Sequence, residues 1–311
     1  MRKIRPLVRL FSLATLLGVA LANGALTPGA AAASGGRGFP VTIHAANGAV
    51  TFTAAPTRIM SLSPSATEML YADGAGHQVV AVDKYSMIPK NAPRTNLTGG
   101  ETSAESYLRY RPDLVVLGFE EPGLVHQLQL LHIPVLVMPP AANLSAAYHQ
   151  FAQLGAATGH RAQAAREVAA IKAALARIVA GVGAKARVRG KTYYVEFSSN
   201  LYTATAKTFV GSLFGKLGMV NIANAAGKGG DGYPQLSAEY LLRANPDYVF
   251  LADDQCCGQS AATFAARPGF SGLRAVRLHH VFTVPDPIAS EWGTQVVPFL
   301  AMIANDVKAG R

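Results

Sequence analysis

Short hydrophobic runs alternate with longer amphipathic segments along most of this chain, beginning near residue 58. Apolar runs of this length, bounded by turn residues, predict buried strands. The segments between them predict helices, and such an alternation is typical of parallel sheets covered by helices on both faces. The predicted strands are 58–62, 79–83, 113–117, 134–138, 192–197, 247–251 and 280–285. The predicted helices are 65–72, 104–110, 123–131, 161–180 and 294–308.

One sixteen-residue pattern occurs twice, at 103–118 and at 237–252. The first copy reads SAESYLRYRPDLVVLG and the second reads SAEYLLRANPDYVFLA, so Ser-Ala-Glu, Leu-Arg and Pro-Asp coincide. Each copy predicts a helix that ends before a Pro-Asp turn and leads into an apolar strand. The copies lie further apart than the roughly 20–50 residues of a solenoid repeat, at about the size of a domain. The repeat therefore predicts two similar lobes.

The region between the two copies predicts how the lobes are joined. Residues 143–180 are rich in alanine and lack proline, and Gly159-His160 interrupts them. The helix that follows would span roughly 30 Å, the width of a small domain. We expect a tail and hairpin at 34–56, an N-terminal lobe at 57–158, a connecting helix at 159–181 and a C-terminal lobe at 182–311.

The first 33 residues predict an export signal. Four basic residues precede an apolar run from about Leu10 to Leu26, and Ala31 to Ala33 offer small residues for cleavage. These are the three parts of a secretory signal, and the run is shorter than the roughly 20 residues of a membrane span. A retained membrane anchor stays as the alternative. Because no cysteine lies near this segment, we expect an exported protein, periplasmic or at the cell surface, that is not a lipoprotein.

The composition limits the other function classes. Half of the residues are hydrophobic and 15% are charged, so the chain can form a large core. The net charge is +10, but no Lys/Arg-rich cluster follows the N-terminal segment, which argues against nucleic acid as a partner. The eight histidines are scattered, and the two cysteines, Cys256 and Cys257, are adjacent. We expect no metal site, and the cysteines either form a vicinal disulfide or stay reduced.

Five segments follow one another in a distinctive order across residues 55–252. They read APTRIMSLSPSATEMLYADGAG, VVAVDKYSMIP, SAESYLRYRPDLVVLG, LHIPVLVM and GYPQLSAEYLLRANPDYVFLA. In this order the chain resembles the extracytoplasmic solute-binding proteins of ABC importers for iron chelates and cobalamin. The resemblance implies an α/β fold of two Rossmann-like lobes, each a mainly parallel sheet flanked by helices, joined by one long rigid helix. It also implies a metal chelate in the cleft between the lobes, carried as transported ligand rather than as cofactor.

The resemblance assigns a role to one glutamate in each lobe. In this family such a glutamate docks into arginines of the membrane permease, and by motif Glu105 and Glu239 take these places. A carboxylate on a protruding helix can accept a bidentate pair from arginine. Helix capping is the competing explanation, because 102–105 has the form of a capping box and Glu239 follows Ser237 in a first helical turn. Capping does not explain why both lobes carry Ser-Ala-Glu, so we favour docking to an ABC permease and ATPase complex.

Candidate ligand contacts lie where predicted strands end. Ser63 and Ser65 stand between the first strand and a helix, with Ser65 and Glu68 in the form of a capping box, at the sheet edge where α/β proteins bind ligands. A large, planar, partly apolar ligand needs aromatic faces and few charges. The loops supply Tyr85, Phe119, Phe197, Tyr202, Tyr233 and Trp292. Glu291 departs from the family, which often has a basic residue there; facing the cleft, it would disfavour an anionic ferric chelate.

We therefore predict a monomeric receptor without catalytic residues that captures a metal chelate for an ABC importer. Corrinoid and ferric siderophore or haem stay open as ligands, and the segment Gly-Tyr-Pro-Gln-Leu-Ser favours a corrinoid. One alternative is an exported hydrolase that uses Ser63 or Ser65 in the same cleft with a converging histidine and acid. Another is a surface adhesion or sensor module with a shallow cleft. A single continuous sheet would exclude the receptor.

Overall fold

The strands of the chain form one hairpin and two separate four-stranded parallel sheets. The computed structural model describes residues 38–101, 103–183, 188–227, 230, 232–285 and 291–309. The hairpin consists of β1 (Val41–Ala45) and β2 (Gly48–Phe52). The first sheet contains β3 (Ile59–Leu62), β4 (Val79–Val82), β5 (Leu114–Leu117) and β6 (Val135–Val137). The second contains β7 (Thr192–Glu196), β8 (Val220–Asn221), β9 (Tyr248–Leu251) and β10 (Val281–Thr283).

The helices cover both faces of the sheets and connect the strands. In the first part of the chain they are α1 (Pro64–Ala72), α2 (Glu105–Leu108), α3 (Pro122–Leu130), α4 (Leu144–Ala157) and α5 (Arg161–Gly183). In the second part they are α6 (Phe209–Lys216), α7 (Ala238–Ala244), α8 (Asp254–Cys257), α9 (Ala261–Ala265), α10 (Arg274–Arg277) and α11 (Val296–Ala309). Three short 3₁₀ turns lie at Ala75–Gln78, Ile222–Ala225 and Phe270–Gly272.

The two sheets have the same topology. The strand orders are β4-β3-β5-β6 and β8-β7-β9-β10, so in each sheet the first strand lies between the second and the third. β5 and β9 occupy the same place, and they are the strands of the two repeat copies. Both strands are buried along their whole length, as parallel strands with helices on both faces must be. The predicted fold of two similar α/β lobes is confirmed, and the sheets are not fused.

The Pro-Asp turn of the repeat has one structural role in both lobes. Asp113 accepts hydrogen bonds from the backbone N–H groups of Thr57 and Arg58, both at 2.8 Å. Asp247 accepts one from the N–H of Thr192 at 2.9 Å. Each aspartate therefore ties the start of the third strand of its sheet to the start of the first. This part of the repeat is explained by contacts inside each lobe.

Two predicted helix starts are wrong. α1 begins at Pro64, and Ser63 is its N-cap, with its Oγ accepting from the N–H of Ala66 at 3.4 Å. Proline suits the first helical position because its missing N–H would be unpaired there, so Ser65 does not form a capping box with Glu68. α2 begins at Glu105, one residue later than expected, and the N–H of Glu105 donates to Ser103 Oγ at 3.2 Å. The capping box at 102–105 stays a prediction. Thr102 itself lies outside the described residues.

One hydrophobic core extends through both lobes, and one face of α5 contributes to it. It contains Phe151 and Leu154 of α4, Ile171 and Leu175 of α5, and Leu300 of α11. Two further cores lie on the other faces of the sheets, one in each lobe. The lobes are therefore joined by packed side chains as well as by the chain connection.

Three further predictions from the sequence concern the cysteines, the export signal and membrane-spanning helices. Cys257 is disulfide-bonded, and the sequence contains one other cysteine, the adjacent Cys256. The predicted export signal at 1–33 lies outside the described residues. Within the part of the chain that is described, no helix combines the length and the apolar character needed to cross a bilayer.

Candidate functional site

A cavity of about 340 Å³ lies between the lobes, near the carboxyl ends of the strands. Pro140 and Ala141, which follow β6, form the wall that belongs to the N-terminal lobe. The remaining walls come from the second half of the chain. They consist of Phe197, Tyr202, Phe209, Val210, Tyr233 and Trp292. Every side chain in this lining is uncharged, and four of the eight are aromatic rings of predicted ligand contacts.

Backbone pairing fixes the aromatic residues of the C-terminal wall. Tyr202 forms isolated bridges with Ser198 and Gln235, so three chain segments run side by side behind the rings. The rings of Tyr202 and Tyr233 are stacked with centroids 6.3 Å apart and planes 14° apart. Phe197 meets Tyr233 edge-on, also with centroids 6.3 Å apart. The three rings form a preformed aromatic surface in the wall of the cavity.

Trp292 is held by the other lobe. Its backbone N–H donates to Ser65 Oγ at 3.0 Å, and its Nε1–H donates to Gln150 Oε1 at 2.7 Å. Gln150 is fixed in turn, because its Nε2 donates to the carbonyl oxygen of Pro139 at 2.7 Å. The indole ring is therefore oriented by α1 and α4 although it belongs to the C-terminal lobe.

The other predicted ligand residues lie outside this cavity. Ser63 is buried and caps α1, and Ser65 is buried and holds Trp292 rather than lining the cavity. Tyr85 and Phe119 follow β4 and β5, and 58% and 48% of their surfaces are exposed. Strands β4 and β5 flank β3, so both rings lie at the same sheet edge as Ser63.

Four lining residues were missed from the sequence. Pro140 and Ala141 come directly after a predicted strand, and Phe209 and Val210 open α6. Apolar residues at the start of a helix look like core residues in a sequence, so the second pair left no usable signal. The Pro-Pro pair after strand 134–138 was the signal available for the first pair.

Glu291 does not line the cavity. Only 6% of its surface is exposed, and its carboxyl lies against that of Glu68. Burial first, then the hydrogen bond to Glu68 and the charges of Glu68 and Asp83, raise the pKa of Glu291 far above its usual range. Because Glu291 is buried outside the cavity, the expected argument against an anionic chelate loses its basis.

A larger groove of about 630 Å³ lies between α4, α5 and α6. Its walls include Leu144, Leu175 and Val179, which are side chains of helix faces. α/β proteins bind their ligands at the carboxyl ends of strands, where loops can present polar groups, so the smaller aromatic cavity is the better candidate. The described residues contain no group of three His, Cys, Asp or Glu side chains arranged to hold a metal ion.

The two glutamates of the repeat are exposed at equivalent places. Glu105 lies in the first turn of α2 and Glu239 in the first turn of α7. Neither forms an ion pair with any described residue. Three positions later each helix carries an exposed leucine, Leu108 and Leu242, with 38% and 36% of their surfaces accessible.

Two α/β lobes with an aromatic cavity between them define a solute-binding protein of the two-lobed class. The chain matches the family model described as periplasmic binding protein over residues 59–288, and it belongs to that family. This family consists of binding proteins. The resemblance inferred from the sequence is confirmed.

Individual relatives cover most of the chain. It is 28% identical to the ABC transporter substrate-binding lipoprotein YvrC of Bacillus subtilis over 86% of each chain. It is 29% identical to a cobalamin-binding protein of Halobacterium salinarum, over 86% of this chain and 74% of the relative. The periplasmic heme-binding protein RhuT from Roseiflexus sp. RS-1 has the same fold, with a TM-score of 0.70 and 21% identity over 81% of this chain and 98% of that protein.

One expectation is contradicted by these comparisons. We expected an exported protein that is not a lipoprotein, but the Bacillus subtilis relative is named a lipoprotein, which points to a membrane-anchored protein. The expectation rested on a single criterion, the absence of cysteine near the N-terminal segment. Export agrees with both kinds of protein.

Proposed function

We propose that this chain is the extracytoplasmic substrate-binding component of an ABC importer and that its ligand is a metal chelate of the corrinoid class. The observation that carries this proposal is the aromatic cavity between the lobes. A corrinoid is a large and mostly apolar ring system with polar edges, and aromatic side chains are the surfaces on which such a ring packs. The cobalamin-binding relative supports the same ligand class.

The uncharged lining favours a corrinoid over a strongly anionic ferric chelate. Burial of a charged group is costly unless an opposite charge or hydrogen bonds compensate it. Among the described residues, the cavity walls include Tyr202 and Tyr233 but no cationic side chain. A ligand whose charge is balanced internally by its metal needs no such partner.

The cavity encloses only part of a ligand of this size, so the rest must lie in the open part of the cleft. Tyr85 and Phe119 are large aromatic side chains exposed at the sheet edge of the N-terminal lobe. Exposed apolar surface next to a cleft is a mark of a binding site. We assign these two rings, with the turn at Ser63 between β3 and α1, to the side of the ligand that faces the N-terminal lobe.

Glu105 and Glu239 are proposed as the contacts to the permease. In each lobe the repeated aspartate has internal contacts, and the glutamate has no ion-pair partner among the described residues. An exposed glutamate beside an exposed leucine offers one charged and one apolar contact on the same helix face. Two such faces, one per lobe, match a permease that contacts both lobes at once through arginine.

The ligand proposal is tested by calorimetric titration of the purified protein. Cyanocobalamin, haemin and a ferric hydroxamate are titrated separately into wild type and into a Tyr202→Ala, Tyr233→Ala double variant. We expect cyanocobalamin to bind with a dissociation constant at or below the micromolar range and the double variant to bind at least about tenfold more weakly. Tight binding of haemin alone would replace the corrinoid assignment, and binding of none of the three would contradict the chelate proposal.

The docking proposal is tested with the intact importer. Glu105→Ala and Glu239→Ala together are expected to abolish uptake and to leave ligand affinity unchanged. Glu121→Ala, at the start of α3 without a side-chain cap, is the matched control and should transport normally. Loss of affinity in the double variant would show that the glutamates support the fold instead.

The hydrolase alternative gains no support from its serines. Ser63 Oγ is occupied in capping α1, and Ser65 Oγ accepts the N–H of Trp292. Both residues are buried. We further propose a monomer with the lobe boundaries expected from the sequence, without a nucleic-acid partner, whose continuous core limits the rotation of the lobes.

A further inference from the structure

The segment that follows Glu291 is fastened to the N-terminal lobe by a carboxylate. Glu68 Oε2 accepts from Thr294 Oγ1 at 2.7 Å and from the backbone N–H of Gln295 at 3.0 Å. Gln295 directly precedes α11, so Glu68 provides a negative charge at the N-terminus of a helix that belongs to the other lobe. Only 2% of the surface of Glu68 is exposed, so these contacts are shielded from water.

The same carboxylate lies against the carboxyl of Glu291. Glu68 Oε1 and Glu291 Oε2 are both buried, and no N–H or O–H group of the described residues donates to either atom. Two ionised carboxylates have no donor to offer each other and repel. One proton removes both problems, because a protonated carboxyl donates to its ionised neighbour. Glu68 Oε2 already accepts two further hydrogen bonds, so the shared proton is best placed on Glu291.

No positive charge compensates this pair in the described part of the chain. The charged groups that raise the pKa of Glu291 are Glu68 on α1 and Asp83, which directly follows β4, and both are acidic. Gln150 on α4 and Thr294 beside the pair are neutral. No lysine or arginine of the described residues forms an ion pair with either glutamate. Loss of the proton would therefore add a second negative charge to a buried interface between the lobes.

Trp292 follows Glu291 directly and forms part of the cavity wall. Its two hydrogen bonds to Ser65 and Gln150 depend on the same contact between the lobes. Gly293 allows the close approach, because a Cβ atom there would lie 2.6 Å from Glu68 Oε2. The position of the indole ring is thus set by the segment that the carboxyl pair fastens.

We propose that Glu68 and Glu291 are positioning residues that hold Trp292 in the cavity wall through one shared proton, so that ligand affinity falls when this proton is lost at alkaline pH. The consequence for affinity rests on the proposed function; the position of Trp292 does not. Burial and the neighbouring carboxyls raise the pKa of Glu291. A raised pKa means that the contact is fully present below the ordinary carboxyl range and is lost as pH rises through the raised value.

The test uses the single tryptophan of the chain as its probe. Emission of Trp292 is recorded from pH 6 to 11 without ligand for wild type, Glu291→Gln and Glu68→Gln. Glu291→Gln keeps a donor between the two side chains without a titrating proton. Glu68→Gln keeps a donor and removes the second negative charge, so that ionisation of Glu291 no longer places two charges at this contact. Wild type is expected to shift to longer wavelength with alkaline pH, and both variants are expected to stay nearly constant. Glu121→Gln is the control and should follow wild type. The readout is the difference in emission between wild type and the variants at each pH.

Cyanocobalamin affinity is measured on the same samples. Wild-type affinity is expected to fall by up to about tenfold per pH unit above the raised pKa, the limit for one linked proton, while Glu291→Gln keeps its affinity. Circular dichroism at each pH verifies that the variants are folded; if one glutamine variant fails to fold, the other carries the test. Equal pH profiles of wild type and the folded variants would overturn the proposal. A pH-dependent emission difference without cyanocobalamin binding would sustain the positioning role and contradict only the ligand.

Discussion

Replacement of Gly293 by alanine is expected to weaken the contact between the lobes. A Cβ atom at this position would lie 2.6 Å from Glu68 Oε2 and 2.9 Å from Glu68 Cβ. Neither atom can yield easily, because Oε2 is held by two hydrogen bonds and Cβ is fixed to the backbone of α1. Glu68 must therefore move away from the segment it fastens.

The size of the effect follows from the bonds that this movement breaks. Glu68 would lose the hydrogen bonds from Thr294 Oγ1 and from the N–H of Gln295. Hydrogen bonds to charged groups contribute about 1.5–3 kcal/mol each, so the free energy of unfolding should fall by at least ~3 kcal/mol. For a chain of this size such a loss lowers Tm by about 5 °C.

Thermal unfolding followed by circular dichroism measures this difference. Gly272→Ala is the matched control, because a Cβ atom there has no neighbour within 4 Å. The control should keep the wild-type stability to within about 0.5 kcal/mol. A Gly293→Ala melting curve that coincides with that of the control would refute the reasoning.

Two further predictions concern the packing of α1, α4 and α5 around Gly155. Burial first, and then the charge of Glu167, raise the pKa of Asp73 from 3.8 to about 8. The free energy of unfolding should therefore fall as pH rises between these values, by up to ~1.4 kcal/mol per pH unit. Urea unfolding at a series of pH values should show that Asp73→Asn lacks this slope, and an unchanged slope would contradict the assignment. Gly155→Ala should cost about 1–3 kcal/mol in urea unfolding, because its Cβ would collide with that of Ala164. Gly123→Ala is the control: a Cβ atom there has no neighbour within 4 Å, so the free energy of unfolding should not fall.

The strands could be predicted because each leaves a local pattern. A parallel strand covered on both faces is a continuous apolar run, and β3, β5 and β9 were found in this way to within one residue. β8 was missed, because its two residues, Val220–Asn221, are too few to form a pattern. α2 is shorter than expected, ending at Leu108 rather than Tyr110.

The cavity was only partly visible in the sequence. Tyr202, Tyr233 and Trp292 were predicted because a large planar ligand needs aromatic faces and these residues lie on loops after strands, and the structure brings them into one cavity. Glu68 was assigned to a local capping box with Ser65, whereas its partners lie 226 and 227 residues further along the chain. Contacts of this kind depend on how the lobes pack, and no local pattern records them.

A crystal structure of the protein with cyanocobalamin tests the central claim most directly. The account predicts that the corrin ring lies between the lobes, against Tyr202, Tyr233 and Trp292 on one side and near Tyr85 and Phe119 on the other. A ligand bound instead in the groove between α4, α5 and α6, with the aromatic cavity left empty, would contradict it.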